Sequence, residues 1–163
     1  MDRTVIDRYA SGGATLRQAI AGLSAADLQA VPPAEKAAEV GRWSIQQVVI
    51  HLADCELVIA DRIRRVVAED QPTLMAFDQD RWVERLAYAD QSVDDAVAMV
   101  ELIRRQTARM LNIQPDAVLH RQGVHNVTGP VSVLDLVTHA IQHLEHHVGF
   151  IQAKRRWLET RNQ

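Results

Sequence analysis

At 163 residues, 47% hydrophobic and 24% charged, the chain is sized for one domain with a substantial core, which excludes the disordered, collagen-like and disulfide-rich classes. A formal charge of −3, from 18 basic and 21 acidic residues, gives no field that would draw it to phosphate backbones, so no nucleic-acid partner is expected. The lone Cys55 allows no internal disulfide, MDRTVIDRY at the start lacks a secretory apolar core, and no run reaches the roughly 18 apolar residues of a membrane helix, so a cytoplasmic protein without membrane contact is expected.

Apolar residues recur at intervals of three and four, and alternation bounded by hairpin turns is missing, which predicts an all-α protein. A first helix is predicted over residues 2–22 with Ile6, Tyr9, Leu16, Ala19 and Ile20 inward, and Gly12 and Gly13 predict a bend or fraying near its middle. Ser24 followed by Asp27 marks a short helical turn that Pro32 and Pro33 end, and the stretch to Gly41 reads as a connection. Ser44 and Gln47 form a capping box for a long helix over 44–69, with Trp43 placed as a hydrophobic staple and Pro72 as the stop.

FDQDRWVERLAY at 77–88 is a short amphipathic piece that Trp82 anchors, with Asp78 and Asp80 as candidate caps. Ser92 with Asp95 starts a helix over 92–112, ended by Pro115. HRQGVHNVTGP at 120–130 carries two glycines and a proline and is predicted as loop, after which Ser132 caps a last helix to residue 157. Four long helices with modest loops predict a four-helix bundle with 70–91 as a longer crossover, in a single domain over 1–163.

The last helix contains THAIQHLEHHVGFI at 138–151, with four of the seven histidines in nine positions. On a wheel of about 100° per residue, Leu136, Val137, Ala140, Leu144, Val148, Ile151 and Leu158 share one face, opposite Asp135, Gln142, Glu145 and Gln152. His147 falls about 50° and His143 about 90° from the apolar centre, whereas His139 and His146 lie about 130° and 150° away. His143 and His147 are therefore the inward pair, on adjacent turns with Cβ atoms roughly 5–6 Å apart, a span one ion bridges. A chance pairing on a solvated face is the plain alternative, and His139 with His143 is the competing pair.

A metal needs a third ligand, and His51 is the one histidine on another long predicted helix. It sits on the flank, about 125° from the centre of the face made by Ile45, Val48, Val49, Leu52, Ile59 and Ile63, so phase alone leaves it undecided. Glu56 falls near the centre of that apolar face. A buried carboxylate is costly unless paired or ligated, so Glu56 either pairs with an arginine such as Arg104 or Arg105, or orients a ligand or acts as a base. Asp54, three positions from His51, reads as a surface residue or as that histidine's hydrogen-bond partner.

WSIQQVVIHLADCE at 43–56, PTLMAFDQDRW at 72–82, GVHNVTG at 123–129 and HAIQHLEHH at 139–147 together resemble the DinB-like family, and within it the YfiT-type subgroup of metal-dependent hydrolases. The resemblance covers nearly all of the chain from Trp43 onward and rests on WS, HLAD, FDxD and HxxxH in that order. It implies a four-helix bundle, often a homodimer, and a divalent metal held by His51 of the HLAD motif with His143 and His147 of the final HxxxH. A serine is common in the family where Cys55 stands, and a tyrosine at or near His139. Cys55, one turn after His51, reads as a small buried cysteine or as a neighbour of the metal. His125 matches the family's loop histidine and is a catalytic candidate, with solvent exposure as the alternative. His120 and His146 read as surface.

Three neutral imidazoles leave coordination positions open, as in catalytic rather than closed structural zinc sites, and zinc and nickel both suit imidazole. Such a site activates water for hydrolysis, or a low-molecular-weight thiol of the bacillithiol or mycothiol kind for transfer to an electrophile, an activity the resemblance also implies. Thiol transfer is the favoured expectation, because no carboxylate other than Glu56 is placed as a hydrolytic base and a thiolate needs none. The expectation is a metal-dependent enzyme acting on a small molecule, with His125 and Glu56 as catalytic candidates. A non-enzymatic, stress-associated metal-binding module is the alternative.

Overall fold

In the computed structural model, which describes residues 3–161 except the side chain of residue 161, the helices and strands follow one another as α1 (Thr4–Ile20), α2 (Ala25–Gln29), α3 (Ala37–Val40), α4 (Ile45–Ala68), β1 (Thr73–Leu74), α5 (Gln79–Arg85), α6 (Val93–Asn112), β2 (Gln122–His125), β3 (Gly129–Ser132) and α7 (Val133–Arg161). The expected first helical residue, at position 2, lies outside the described residues. Both α1 and α4 pack against α6 and α7, so α1 stands diagonal to α4 and α6 diagonal to α7 in a four-helix bundle. The segment between α4 and α6, carrying β1 and α5, is the long crossover.

Helix starts follow the side-chain chemistry. Ser24 and Asp27 form a capping box at α2, and Ser44 and Gln47 form one at α4. Asp78 caps α5 and Ser92 caps α6 by accepting a backbone N–H, and Ser132 with Asp135 does the same at α7. Asp80, a second candidate cap, instead pairs with Arg42.

The apolar core has two parts, one around Leu16, Val49, Val97 and Leu144, the other around Ile6, Ile63, Leu111 and Val137. At the level between them lies a charged knot. Arg104 of α6 donates Nε to Glu56 Oε2 of α4 at 2.7 Å, Nη2 to the Ala140 carbonyl of α7 at 2.8 Å and Nη1 to the Tyr9 carbonyl of α1 at 3.2 Å. The Tyr9 hydroxyl closes the circuit by donating to Glu56 Oε1. One guanidinium thus touches all four long helices, and the ion pair is almost dry, its side chains 2% and 3% exposed.

Two expectations are corrected. Gly12 and Gly13 do not fray α1, which continues through them as one helix. A Cβ on Gly13 would lie 2.9 Å from the Cα of Glu101, and one on Gly12 would lie 2.1 Å from Nη1 of Arg104. The glycines let α1 close onto α6, and that packing outweighs their poor helix propensity. The predicted loop at 120–130 is partly ordered as sheet: β2 runs antiparallel to β3, with Gln122 opposite Ser132 and His125 opposite Gly129, and parallel to β1, with Thr73 opposite Val124. Strands of two and four residues are too short to display alternation, so the otherwise helical chain hides a small three-stranded sheet. The stretch before Gly41, expected as connection, includes the short α3.

Candidate metal centre

The site is built on the seam between α4 and α7. The capping box fixes the start of α4, with Gln47 N 3.1 Å from Ser44 Oγ and Ser44 N 2.9 Å from Gln47 Oε1. His51 lies two turns further on and is fully buried. Its flank position on the wheel does not expose it, because α4 is covered on more than one side and its buried residues run nearly unbroken from Ile45 to Glu56. From α7, His143 and His147 meet it half-buried, while His139 and His146 are exposed.

The three rings form a close triangle. Centroids are 5.1 Å apart for His51 and His143, 4.9 Å for His51 and His147, and 4.6 Å for His143 and His147. Trp43 packs over the group, 5.0 Å from the His51 ring and stacked nearly parallel to His147 at 6.4 Å. Burial, and then the proximity of the other rings, holds His51 near 4, His143 near 3 and His147 near 4, well below the ordinary imidazole value of 6.5. All three are neutral at pH 7, as metal-ligating imidazoles must be.

Two of the three rings hold their donor atoms at the spacing of a divalent ion, whereas His147 stands outside the group of donor atoms that closes within 4.8 Å. His51 Nε2 and His143 Nε2 lie 3.2 Å apart. At that separation either one nitrogen donates a proton to the other or both lone pairs share an electrophile; two zinc–nitrogen bonds of about 2.0–2.1 Å at a tetrahedral angle place their nitrogens roughly 3.3 Å apart. The Nδ1 of His147 is buried with no hydrogen-bond partner. A buried polar atom left unpaired is unfavourable, and ligation removes the deficit.

Cys55 is closer to this group than a filler residue would be. Its Sγ is 3.5 Å from His51 Nε2, and the donor atoms of His51, Cys55 and His143 all lie within 4.8 Å of one another. Burial, with Asp54 and Glu56 adding, pushes its thiol up to about 12, so Cys55 would have to shed a proton to ligate whereas the imidazoles would not. The spacing of one helical turn from His51 was the sequence signal for this proximity.

Glu56 is not beside the rings as a free base, since its two oxygens are taken by Arg104 and Tyr9. Asp54 accepts from the Tyr88 hydroxyl of the crossover, which corrects the reading of it as a partner of His51. His125 lies at the end of β2, where Nδ1 accepts from the backbone N–H groups of Val127 and Thr128, so its proton sits on Nε2. It lines a cavity of about 350 Å³ shared with Arg62, Asp135 and His139. His139, in turn, stacks on His143 with centroids 5.8 Å apart, which connects that cavity to the triangle.

On the other side a cavity of about 200 Å³ opens against His147, lined also by Trp43, Phe150 and Lys154. Trp43 was expected only as a staple, and Lys154 was not singled out. The signal for Lys154 was its position seven residues, or two turns, after His147 on the same stripe.

The family model of the DinB superfamily matches residues 8–151. A protein of Oceanobacillus iheyensis named "Putative metal-dependent hydrolase" is 30% identical over 112 residues, covering 69% of this chain and 64% of that relative. A protein of the same name from Bacillus cereus is 25% identical over 119 residues, covering 73% of this chain and 68% of the relative. Among solved structures, YfiT from Bacillus subtilis, described as "a probable metal-dependent hydrolase with an unusual four-helix bundle topology", superposes with a TM-score of 0.85 at 20% identity, over 96% of this chain and 86% of that one. At that identity the likeness establishes the bundle fold.

Proposed function

The chain belongs to the DinB superfamily, and from that membership and the histidine triangle we propose that it is a divalent-metal-dependent enzyme in which His51, His143 and His147 hold the ion. The observation that carries this reading is the convergence of three neutral imidazoles, one with an orphaned nitrogen, beside an open cavity. Bound there, zinc or nickel would supply Lewis acidity that lowers the pKa of a coordinated water or thiol. The protein's own part is to present three ligands without proton loss, to cover two of the rings with Trp43, and to leave approach from the side of His147.

The reaction we assign is transfer of a low-molecular-weight thiol, of the bacillithiol or mycothiol kind, to an electrophilic small molecule. The thiol proton goes to solvent, the sulfur bonds to the electrophilic carbon, and the bond from that carbon to its leaving group breaks, the group departing with the electron pair and taking up a proton. The nearest carboxylates in sequence, Asp54 and Glu56, are both engaged, and Asp80, whose charge acts on His51, is paired with Arg42, which favours a nucleophile that needs no general base. Glu56 is assigned to holding the helices. His125, which carries its proton on Nε2 and lines the larger cavity, is kept as the candidate group for handling a proton of the substrate. Hydrolysis is the second reading, supported by the names of the relatives.

Purified untagged protein, metal-loaded and metal-stripped, is to be assayed against electrophiles with and without thiol, alongside elemental analysis. Turnover that needs both metal and thiol is expected. Turnover without thiol supports hydrolysis, and silence in every pairing, with metal bound, supports a binding module. The proposal includes a homodimer, which sedimentation equilibrium checks; a monomer at micromolar concentration removes that part.

A further inference from the structure

The cavity against His147 contains a charge that neither the metal site nor the fold fully uses. Lys154 is 1% exposed, yet no acidic residue lines the cavity, and the only other charged lining residue, Arg42, is already paired with Asp80. A lysine ammonium has three donors. One goes to the carbonyl of Val40, the last residue of α3, where a cation is favoured by the helix terminus. The remaining two have no protein acceptor among the described residues. A dry, unpaired ammonium is costly, and burial pulls Lys154 from 10.5 down to about 8, so it still carries its proton at pH 7.

The walls have a different character. Trp43 and Phe150 supply aromatic faces and Val48 an aliphatic one, with Lys154 5.4 Å from the centre of the Phe150 ring. Gly41, at φ +76°, keeps this end open, because a Cβ there would lie 3.2 Å from Nζ of Lys154. A dry cavity of about 150 Å³ is enough to admit benzene, and this one measures about 200 Å³.

We propose that this cavity seats the electrophilic substrate and that the substrate is a small organic acid with a flat apolar body, its carboxylate paired with Lys154 and its body on Trp43 and Phe150. The substrate class rests on the metal-centre reading, since His147 is the wall through which the cavity meets that centre; the preference for a carboxylate does not. Lys154 supplies the counter-charge and Trp43 the contact area, so the site discriminates by charge at one end and by flatness at the other.

The test uses metal-stripped protein, so that a carboxylate cannot bind through an ion, and compares benzoate with its neutral isostere benzamide at pH 7 by NMR titration. Wild type should bind benzoate at least tenfold more tightly than benzamide, with Overhauser contacts from the benzoate ring to the Trp43 indole. Lys154→Met should remove the preference and leave benzamide affinity unchanged. Equal affinity for the two probes, no benzoate binding, benzoate contacts elsewhere, or a preference that survives in Lys154→Met would each show that Lys154 only caps α3. If Lys154→Met does not fold, the wild-type preference and its Overhauser contacts decide. Metal uptake by the same preparation is measured separately: preference without uptake keeps this pocket and removes the metal centre, and uptake without preference does the reverse.

Discussion

Each imidazole of the triangle is placed by its own turn of helix, and two consequences belong to single residues. The first concerns which groups hold the ion. Loss of an outer hydrogen-bond partner typically weakens metal binding about 10–100-fold, and loss of a ligand itself should exceed that. His143→Ala and His147→Ala are each expected to lower zinc affinity by more than about 100-fold, and Cys55→Ala by less than about tenfold, read by competition with a chelating dye. The reverse pattern, with Cys55 essential and His147 dispensable, would move the ligand set to His51, Cys55 and His143, the three whose donor atoms lie within 4.8 Å of one another.

The second consequence is a pH dependence. The folded protein holds the three rings near 3 to 4 while the unfolded chain titrates near 6.5, so between those values the unfolded state binds more protons. Stability of the metal-free protein therefore falls as pH drops from 6.5 towards 4, and is insensitive to these groups above that window. Urea midpoints measured across the window should show the decline, and His143→Leu should flatten it. A wild-type curve that is level from pH 6.5 to 4 contradicts the neutral, buried state assigned to the rings.

At the scale of helices, the knot of Glu56, Arg104 and Tyr9 does what apolar contact alone does not: it joins the diagonal pair α1 and α4, and reaches α7 from α6. Removing one partner of a buried ion pair leaves the other charged and dry, at a cost of about 3–5 kcal/mol. Glu56→Ala should lower unfolding free energy by about that amount, while chemical denaturation of a Glu56→Gln variant shows a smaller loss because an amide still accepts from Arg104. If Glu56→Gln is as stable as wild type yet catalytically dead, Glu56 is part of the chemistry and not only of the scaffold. Helix identity was legible in advance: the capping pairs that begin at 24, 44 and 92 and the lone cap Ser132 all stand at real helix starts. The glycine pair was misread because propensity describes an isolated helix, whereas Gly13 faces the backbone of Glu101 across an interface.

For the whole molecule, α4 and α7 are adjacent members of the bundle, so an ion held between them links segments nearly a hundred residues apart. Binding only to the folded state stabilises by mass action, about 2.7 kcal/mol at a hundredfold excess over Kd. Saturating zinc should therefore raise Tm by several degrees, a chelator should reverse it, and His51→Ala should abolish the effect. A Tm indifferent to zinc and chelator in wild type would mean that no ion is shared between the two helices. Among the described residues no helix is long and apolar enough to cross a membrane.

What the sequence determined by itself is local: where helices begin, which stripe of each is apolar, and that His143 and His147 share the inward side of α7 while His139 and His146 do not. Those features follow from the 3.6-residue repeat and from side chains capping their own backbone. Tertiary structure decided everything that depends on how one helix is rotated against another. It buried His51 despite its flank position, drew Glu56 to Arg104, turned residues 122–132 into a hairpin against β1, and formed a cavity beside Lys154. The reason is that a periodic pattern fixes phase about one axis only, whereas a site between helices needs the relative azimuth of two, and that is set by close packing among residues far apart in the chain.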